Sequence, residues 1–332
     1  MFAYIVRRLL AAVPILLISS FIAFWVASVS ADPVRLRYEG RNPPAPAATI
    51  ANDRQWMRFD QGFFEQYWIW LKDLVTKGYF GPSINRNRDI GTELIDKSII
   101  TFRLVALAML IALVLAVITG VLSATRQYSK LDHSFTFLGF LFLAMPSFWI
   151  AVLLKHGAIK VNDAIEPSTG TRPIPTISHE STLLPDGAWA RLVDIGEHMI
   201  LPTLSLALIT YAAWSRFQRA AMLEVLNSDY IRLARSKGLK SRRVLVRHAL
   251  RTALIPMTTV SALTIAAILG GAVITETVYQ WRGMGYLLLT AVGEQDRYVM
   301  MGWLLVAGTV VVVGNVVADL LYAALDPRIR YA

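Results

Sequence analysis

The side chains that could act chemically are concentrated in one short segment. Residues 232–251, RLARSKGLKSRRVLVRHALR, contain eight Lys or Arg and no Asp or Glu. Guanidinium and ammonium groups bind carboxylates and phosphates, so this segment is suited to an acidic partner or an anionic lipid surface. It contains no aromatic side chain on which a base could stack, and we therefore expect no nucleic-acid partner.

Other reactive groups are too sparse to form a catalytic or metal site. The chain has no cysteine, which excludes disulfides, thiolate ligands and a cysteine nucleophile. Its five histidines include no HxH or HxxxH pair, so their spacing does not favour a metal site. No GxxxxGK[ST] motif occurs, which excludes a P-loop for nucleotide. We expect that the chain is not an enzyme and that any ATP-dependent energy source is a separate chain.

The elements that position the basic segment are apolar enough to cross a membrane. The chain is 55% hydrophobic and only 17% charged. A bilayer core requires roughly twenty apolar residues of helix. Six stretches meet this requirement, at residues 9–28, 99–122, 135–154, 199–213, 255–275 and 300–324. The length of the first favours a retained helix over a cleaved signal peptide, and the short fourth is expected to extend at both ends.

The basic residues of the short loops predict the topology. They lie before the first stretch, after the second, after the fourth and after the last, at Arg7, Arg8, Arg126, Lys130, residues 232–251, Arg328 and Arg330. If six helices alternate in direction, all of these residues fall on one side of the membrane. Because short cytoplasmic loops are enriched in Lys and Arg, we expect both ends of the chain in the cytoplasm.

Two longer segments are predicted to lie outside. Residues 29–98 hold ten Lys or Arg and nine Asp or Glu and are predicted to fold as an extracytoplasmic loop subdomain, with an amphipathic helix over 63–75. Residues 157–194 are rich in turn formers and are predicted to be a second long loop. The predicted organisation is an N-terminal segment with the first helix at 1–28, the loop subdomain at 29–98, and a five-helix core at 99–332 with a cytoplasmic loop at about 216–254.

The basic segment has the sequence signals of two helices joined by a glycine. Ser228 or Asp229 can cap a short helix that runs to about Lys237. Gly238 then lies where a left-handed residue commonly ends a helix. Ser241 can cap a second helix that continues toward the fifth apolar stretch.

Three arginines of that second helix recur every four residues. Arg243, Arg247 and Arg251 therefore share a face, on which like charges repel. Nothing in the loop neutralises them, so they face an acidic partner or anionic lipid, or they serve only to set the topology.

This segment resembles the cytoplasmic loop of the inner-membrane permease subunits of ATP-binding-cassette importers, in their dipeptide and oligopeptide branch. That branch shows D-Y-[IV]-R-x-A-R-[AS]-K-G-L followed by R-R-V-x-x-R-H-A-L-R-x-A-L-x-P. Both patterns are matched here, over residues 229–239 and 242–256. Residues 7–34, 144–154 and 321–331 are similar to other segments of the family. Trp281-Arg282-Gly283 replaces its usual Trp-Pro-Gly.

The resemblance implies a fold, partners and a coupling element. The fold is an all-α integral membrane protein with six transmembrane helices, the type I importer permease fold, in a bacterial-type cytoplasmic membrane. The implied partners are a second homologous permease, two cytoplasmic ATPase subunits, an extracytoplasmic substrate-binding protein and membrane lipid. The chain itself would bind no cofactor, since ATP and Mg would bind to the ATPases. The implied coupling residues are Asp229, Tyr230, Arg232, Ala234, Arg235, Lys237, Gly238 and Leu239.

The implied function is import of short peptides, and importers of nickel, glutathione or haem with the same architecture are the nearest alternatives. A proton-coupled carrier or a channel is the alternative from another class. Such a protein would need paired acids within the spans or a ring of polar groups along a pore, and the apolar stretches contain almost none.

Four residues are candidates for a translocation pathway. Pro146, followed by Ser147 and Trp149, is predicted to bend or unwind the third apolar stretch, with a packed kink as the alternative. Glu276, at the outer end of the fifth stretch, faces the pathway or is a solvated helix end. Gly270 and Gly271 are predicted to allow close helix packing.

Overall fold

The structure is a computed structural model that describes residues 2–30, 32–40, 42–183, 185–269 and 272–325. These residues form helices and connecting segments and contain no strand. In chain order the helices are α1 Phe2–Ser30, α2 Pro33–Tyr38, α3 Ala47–Trp56, α4 Phe63–Lys77, α5 Ile90–Thr125, α6 Lys130–Ala144, α7 Ser147–Thr169, α8 Ala188–Leu226, α9 Asp229–Ser236, α10 Ser241–Arg243, α11 Arg251–Leu269, α12 Val273–Val278, α13 Met284–Gly293 and α14 Arg297–Leu325. A π-helical segment, Val244–Leu250, joins α10 to α11. The predicted all-α class is confirmed.

The described helices supply four or five candidate membrane spans. Helices α1, α5, α8 and α14 account for four, and α6 with α7 forms a bent fifth. Helix α11 covers the predicted fifth apolar stretch, but residues 270 and 271 after it lie outside the described residues, as do 326–332. The six-span count, the packing role of Gly270 and Gly271, and the location of Arg328 and Arg330 therefore stay predictions.

The third apolar stretch is broken at Pro146, as predicted. Helices α6 and α7 meet at 104°. Met145 has an extended conformation with ψ of 132°, because the proline ring disfavours helical geometry in the residue before it. Pro146 itself, with ψ of 140°, immediately precedes the first residue of α7.

The prediction of a long loop over residues 157–194 is wrong at both of its ends. Helix α7 continues to Thr169, and α8 begins at Ala188. The intervening segment is attached to α7 because the Asn162 amide makes two bonds to the Ile174 backbone, donating to its oxygen at 2.7 Å and accepting from its nitrogen at 3.0 Å. The turn-forming residues predicted only the part between the two helices.

The centre of the fold is the long contact between α5 and α8. Small side chains on α5 pack against Leu206, Tyr211 and Trp214 of α8, at Ala108, Ala112 and Ala116. Small residues allow two helix backbones to approach closely where apolar lipid offers little driving force for association. A methyl group added to Gly120 would lie 2.9 Å from the Gln218 side chain, so this position requires glycine for close packing.

Helices α2, α3 and α4 fold against the end of α1 and against α13 and α14. Trp70 of α4 and Phe24 of α1 are fully buried in this cluster, together with Tyr298 of α14. The buried Asp296 carboxylate accepts a 2.5 Å hydrogen bond from the Ser83 hydroxyl. The predicted helix over residues 63–75 is confirmed as α4.

Most charged side chains of this region pair with one another. We call this set the outer cluster. Its pairs are Arg54 with Asp32 at 3.0 Å, Arg86 with Asp53 at 2.7 Å, Arg58 and Lys77 with Asp73 at 2.8 Å each, Arg88 with Glu93 and with Glu294, and Arg35 with Glu39.

Candidate coupling surface

Helix α9 begins and ends at residues whose conformations fit their types. Ser228 precedes it with an extended backbone, although its hydroxyl donates to the Val225 oxygen rather than capping α9. At the other end Gly238 has φ of 75°, a left-handed conformation that costs glycine little. The amide of Gly238 donates to the Arg235 oxygen at 3.0 Å, and the amide of Leu239 donates to the Ala234 oxygen at 3.4 Å. These two bonds form a Schellman motif, which confirms the predicted glycine turn.

One face of α9 is anchored to the membrane helices. Ile231 is fully buried in a cluster with Met222 of α8 and with Ala124 of α5. Val244, the first residue of the π-helical segment, and Ala253 of α11 belong to the same cluster. Since Ile231 shares this buried cluster with residues of α5, α8 and α11, a displacement of α9 would be transmitted to these helices through close packing.

The other side of α9 presents apolar groups to solvent. Tyr230 is 43% exposed and Leu233 is 56% exposed. They are three residues apart and therefore neighbours on the helix surface. Exposed apolar side chains ringed by charged ones are characteristic of protein-binding surfaces, with an aromatic residue as a typical anchor. We call α9 with Lys237, Gly238 and Leu239 the coupling surface.

The basic residues around α9 are almost all without an acidic partner. Arg232 pairs with Asp229. Among the described residues, no carboxylate lies within 4.0 Å of the other seven Lys or Arg of residues 232–251. These charges are available for a partner that the described residues do not provide.

The second helix of the basic segment differs from the prediction. Ser241 is its first residue rather than its cap, and Lys240 occupies the cap position without a side-chain bond. A π-helical segment then spans Val244–Leu250 before α11 begins. Arg243, Arg247 and Arg251 are all exposed, as expected for one solvent-facing side.

Comparison with protein families decides the class of this molecule. Residues 116–331 match the family described as binding-protein-dependent transport system inner membrane component, and residues 1–101 match its N-terminal family. The chain belongs to this family.

Relatives of this binding-protein-dependent transport component align over nearly its whole length. It is 37% identical to the oligopeptide transport system permease protein OppB of Mycobacterium tuberculosis, over 98% of each chain. It is also 37% identical to the oligopeptide transport system permease protein AppB of Bacillus subtilis, over 100% of each. The dipeptide transport system permease protein DppB of Escherichia coli is 32% identical over 100% of this chain and 99% of its own.

Three of the four pathway candidates of this transport component lie at the bend between α6 and α7. Pro146 and Trp149 are exposed at the bend and Ser147 is half-buried between them. The Pro146 carbonyl is occupied, since it accepts from the Trp149 amide at 2.9 Å. A pathway role for these residues stays a prediction.

Glu276 occupies a different environment from the predicted ones. Its side chain is fully buried, so it is not a solvated helix end and does not line an open path in this conformation. The carboxylate accepts from the Thr101 hydroxyl at 2.7 Å and from the Tyr286 amide at 3.0 Å. It thereby joins α5 and α12 to the start of α13. A methyl group on Gly283 would lie 2.7 Å from this carboxylate. This close approach explains why position 283 is glycine.

One buried ion pair of the permease core escaped the sequence analysis. Asp132 of α6 accepts two 2.8 Å bonds from Arg219 of α8, and Ser123 of α5 also donates to it. The signal was present, because Ser129 and Asp132 have the spacing of a helix capping box, and the Ser129 hydroxyl accepts from the Asp132 amide at 3.2 Å. Together with Ser123, the ion pair joins α5, α6 and α8 to one another.

Proposed function

We propose that the protein is a permease subunit of an ATP-driven importer that carries short peptides across the cytoplasmic membrane. It acts with a second homologous permease, two cytoplasmic ATPase subunits and an extracytoplasmic substrate-binding protein. ATP and Mg bind to the ATPases and not to this chain. Both termini lie in the cytoplasm, and residues 29–98 form an extracytoplasmic loop subdomain above the core at 99–332.

The observation that carries this proposal is the two-sided environment of α9. Ile231 fixes one side to the ends of the membrane helices, while Tyr230 and Leu233 remain exposed on the other. A short helix with this arrangement can receive a partner and convey its movement. No intramolecular role accounts for the exposed pair.

The mechanism follows from that rigid attachment. Closure of the ATPases on ATP pulls the coupling surface with them. Because Ile231 packs against Met222 of α8 and Ala124 of α5, these helices follow and the pathway changes from inward to outward access. Peptide then enters from the binding protein, and ATP hydrolysis reverses the change.

Peptides are supported as the substrate class by the names of the three relatives described above, two oligopeptide permeases and one dipeptide permease. Uptake of a radiolabelled dipeptide and a labelled pentapeptide should require the chain and should be unaffected by excess nickel, glutathione or haem. Competition by one of those three compounds would replace the peptide assignment while leaving the importer architecture intact.

The importer assignment is tested by removing the exposed apolar pair. The double variant Tyr230→Ala, Leu233→Ala should lose the copurifying P-loop ATPase from detergent-solubilised membranes, because truncating two apolar anchors costs roughly 2 kcal/mol or more each. The matched control is Phe64→Ala, Val75→Ala, which removes two exposed apolar side chains from α4.

The control variant should retain the ATPase. Equal recovery of the ATPase from wild type and both variants would show that α9 is not the docking element. Absence of any ATPase from wild type, together with uptake that follows a proton gradient, would identify a carrier instead.

A further inference from the structure

A cleft opens behind the coupling surface, on the side that faces the ends of α5 and α8. Its volume is about 680 Å³. It is bounded by the residues that follow α5, by the end of α8 and by α9 and α10. None of these walls belongs to the exposed apolar pair at Tyr230 and Leu233.

Three arginines from three different elements line this one space. Arg126 directly follows α5, Arg235 belongs to α9, and Arg242 belongs to α10. No acidic residue lines the cleft, and among the described residues no carboxylate lies within 4.0 Å of any of the three. Three like charges around a shared space repel one another, and an anion in the cleft would relieve that repulsion.

The remaining lining selects the kind of anion. Leu223, Leu226 and Leu245 give the cleft an apolar wall in addition to the arginines. Another part of the lining is the end of α5, where Thr125 follows the predicted apolar stretch at 99–122 by three residues, so this part lies close to the end of the membrane core. A ligand with a charged head and an apolar tail fits both walls, whereas a soluble anion uses only one.

We propose that this cleft binds a phosphate group, supplied by the headgroup of an anionic phospholipid, through Arg126, Arg235 and Arg242. Guanidinium groups bind phosphate oxygens in pairs, and basic pockets between membrane helices on the cytoplasmic side are suited to such headgroups. Because Arg235 is part of α9, an occupied cleft ties the coupling surface to the surrounding lipid. The binding itself does not depend on the transported substrate or on the ATPase.

The test compares two triple variants of the full-length, detergent-solubilised protein. The cleft variant removes all three cleft charges and carries Arg126→Gln, Arg235→Gln and Arg242→Gln. The stripe variant removes the same charge from the three exposed arginines that recur every four residues, through Arg243→Gln, Arg247→Gln and Arg251→Gln. Binding of phosphatidylglycerol and of phosphatidylcholine is titrated by native mass spectrometry.

The wild type and the stripe variant should bind phosphatidylglycerol tightly and phosphatidylcholine weakly. The cleft variant should bind phosphatidylglycerol about 100-fold more weakly, since each cationic side chain near an anionic headgroup contributes roughly fivefold. Arg235→Lys, which keeps the charge but cannot form the paired bonds, should weaken binding by less than about fivefold, and it guards against misfolding of the triple variant. Equal losses in both triple variants would overturn the proposal, because unspecific charge would then explain binding.

Two further arms identify the source of the phosphate. If 10 mM inorganic phosphate leaves phosphatidylglycerol bound, the ligand is the lipid headgroup. If inorganic phosphate displaces the lipid from wild type but binds no better to the cleft variant, the site takes soluble phosphate and the lipid assignment is overturned. Loss of the ATPase from the cleft variant without any change in lipid binding would place the three arginines in a protein contact and contradict the proposal.

Discussion

The outer cluster and the basic segment around α9 contain similar numbers of cationic side chains but use them in opposite ways. In the outer cluster Arg58, Arg86 and Arg88 each contact a carboxylate of the same chain. Around α9 only Arg232 does so among the described residues. The first region pairs most of its charges within the chain, whereas among the described residues the second leaves most of its charges without an acidic partner. The difference teaches that net charge alone does not identify an interaction surface; the absence of local partners does.

The largest expected effect comes from changing Gly238, which shapes the coupling surface without contacting a neighbour. Gly238→Pro cannot adopt φ of 75° and loses the amide bond to Arg235, at a cost of about 3 kcal/mol or more. Peptide uptake in proteoliposomes should fall by roughly 100-fold if only the native turn couples.

Gly238→Asn is the matched control for that change. Asparagine tolerates the left-handed conformation, and open space surrounds the position where its Cβ would lie. Uptake should therefore remain near that of the wild type. Equal uptake by the proline and asparagine variants would remove the turn from the coupling mechanism.

The next effect separates anchoring from docking on the same helix. Ile231→Ala removes a fully buried side chain and should destabilise the attachment of α9 by about 2–4 kcal/mol. Hydrogen exchange of the α9 amides should accelerate by about 100-fold or more. Leu233→Ala, at an exposed site of the same helix, should leave exchange almost unchanged. Similar exchange in both variants would contradict the buried anchor.

A smaller effect is expected at the turn between α12 and α13, where the Glu276 side chain is buried. Glu276→Gln can place the side-chain NH₂ group, a donor, where a carboxylate oxygen now accepts from the Tyr286 amide. Loss of that hydrogen bond should lower the free energy of unfolding by about 1–3 kcal/mol. The melting temperature of the purified protein should fall, while the ratio of transport to ATP hydrolysis stays constant. A changed ratio with an unchanged melting temperature would return Glu276 to the pathway.

The smallest effect concerns one pair of the outer cluster and its pH dependence. Hydrogen bonds from Lys77 and Arg58 hold the pKa of Asp73 below its usual value. A depressed carboxyl pKa contributes stability above the unfolded pKa of about 3.9, and that contribution is lost as pH falls through the folded pKa. The difference in melting temperature between wild type and Asp73→Asn should therefore stay constant from neutral pH down to about 5 and shrink as pH falls below about 4. A difference that also stays constant below about pH 4 would show that the ion pair contributes no stability.

The sequence was sufficient where a feature depends on a few neighbouring residues. Gly238 ends α9 and Pro146 breaks the third apolar stretch because backbone geometry at these residue types is local. The sequence signals around Gly238 also predicted the short helix that is observed as α9. The cap predicted at Ser241 was wrong, since Lys240 took that position and a π-helical segment followed.

Features that depend on distant contacts were beyond sequence reasoning. Glu276 was predicted to face the pathway or to be a solvated helix end, and neither prediction included the hydrogen bond that it accepts from Thr101, far earlier in the chain. The cleft likewise joins Arg126 to Arg235 and Arg242 across more than a hundred residues. No local pattern specifies such encounters, because they are set by how α5, α8 and α9 pack.

The most direct measurement uses the absence of cysteine from the natural chain. Leu233→Cys places a thiol on the coupling surface, and Val75→Cys places one at an equally isolated apolar position of α4. Each single-cysteine chain is treated in native membranes with a thiol-to-amine cross-linker, and the products are identified by mass spectrometry. We predict that Leu233→Cys forms a cross-link to a P-loop ATPase and that Val75→Cys does not. A membrane-impermeant maleimide added outside intact cells should label Val75→Cys but not Leu233→Cys. Cross-linking of the ATPase to Val75→Cys, or to neither chain, would contradict the assignment of α9 as the coupling element.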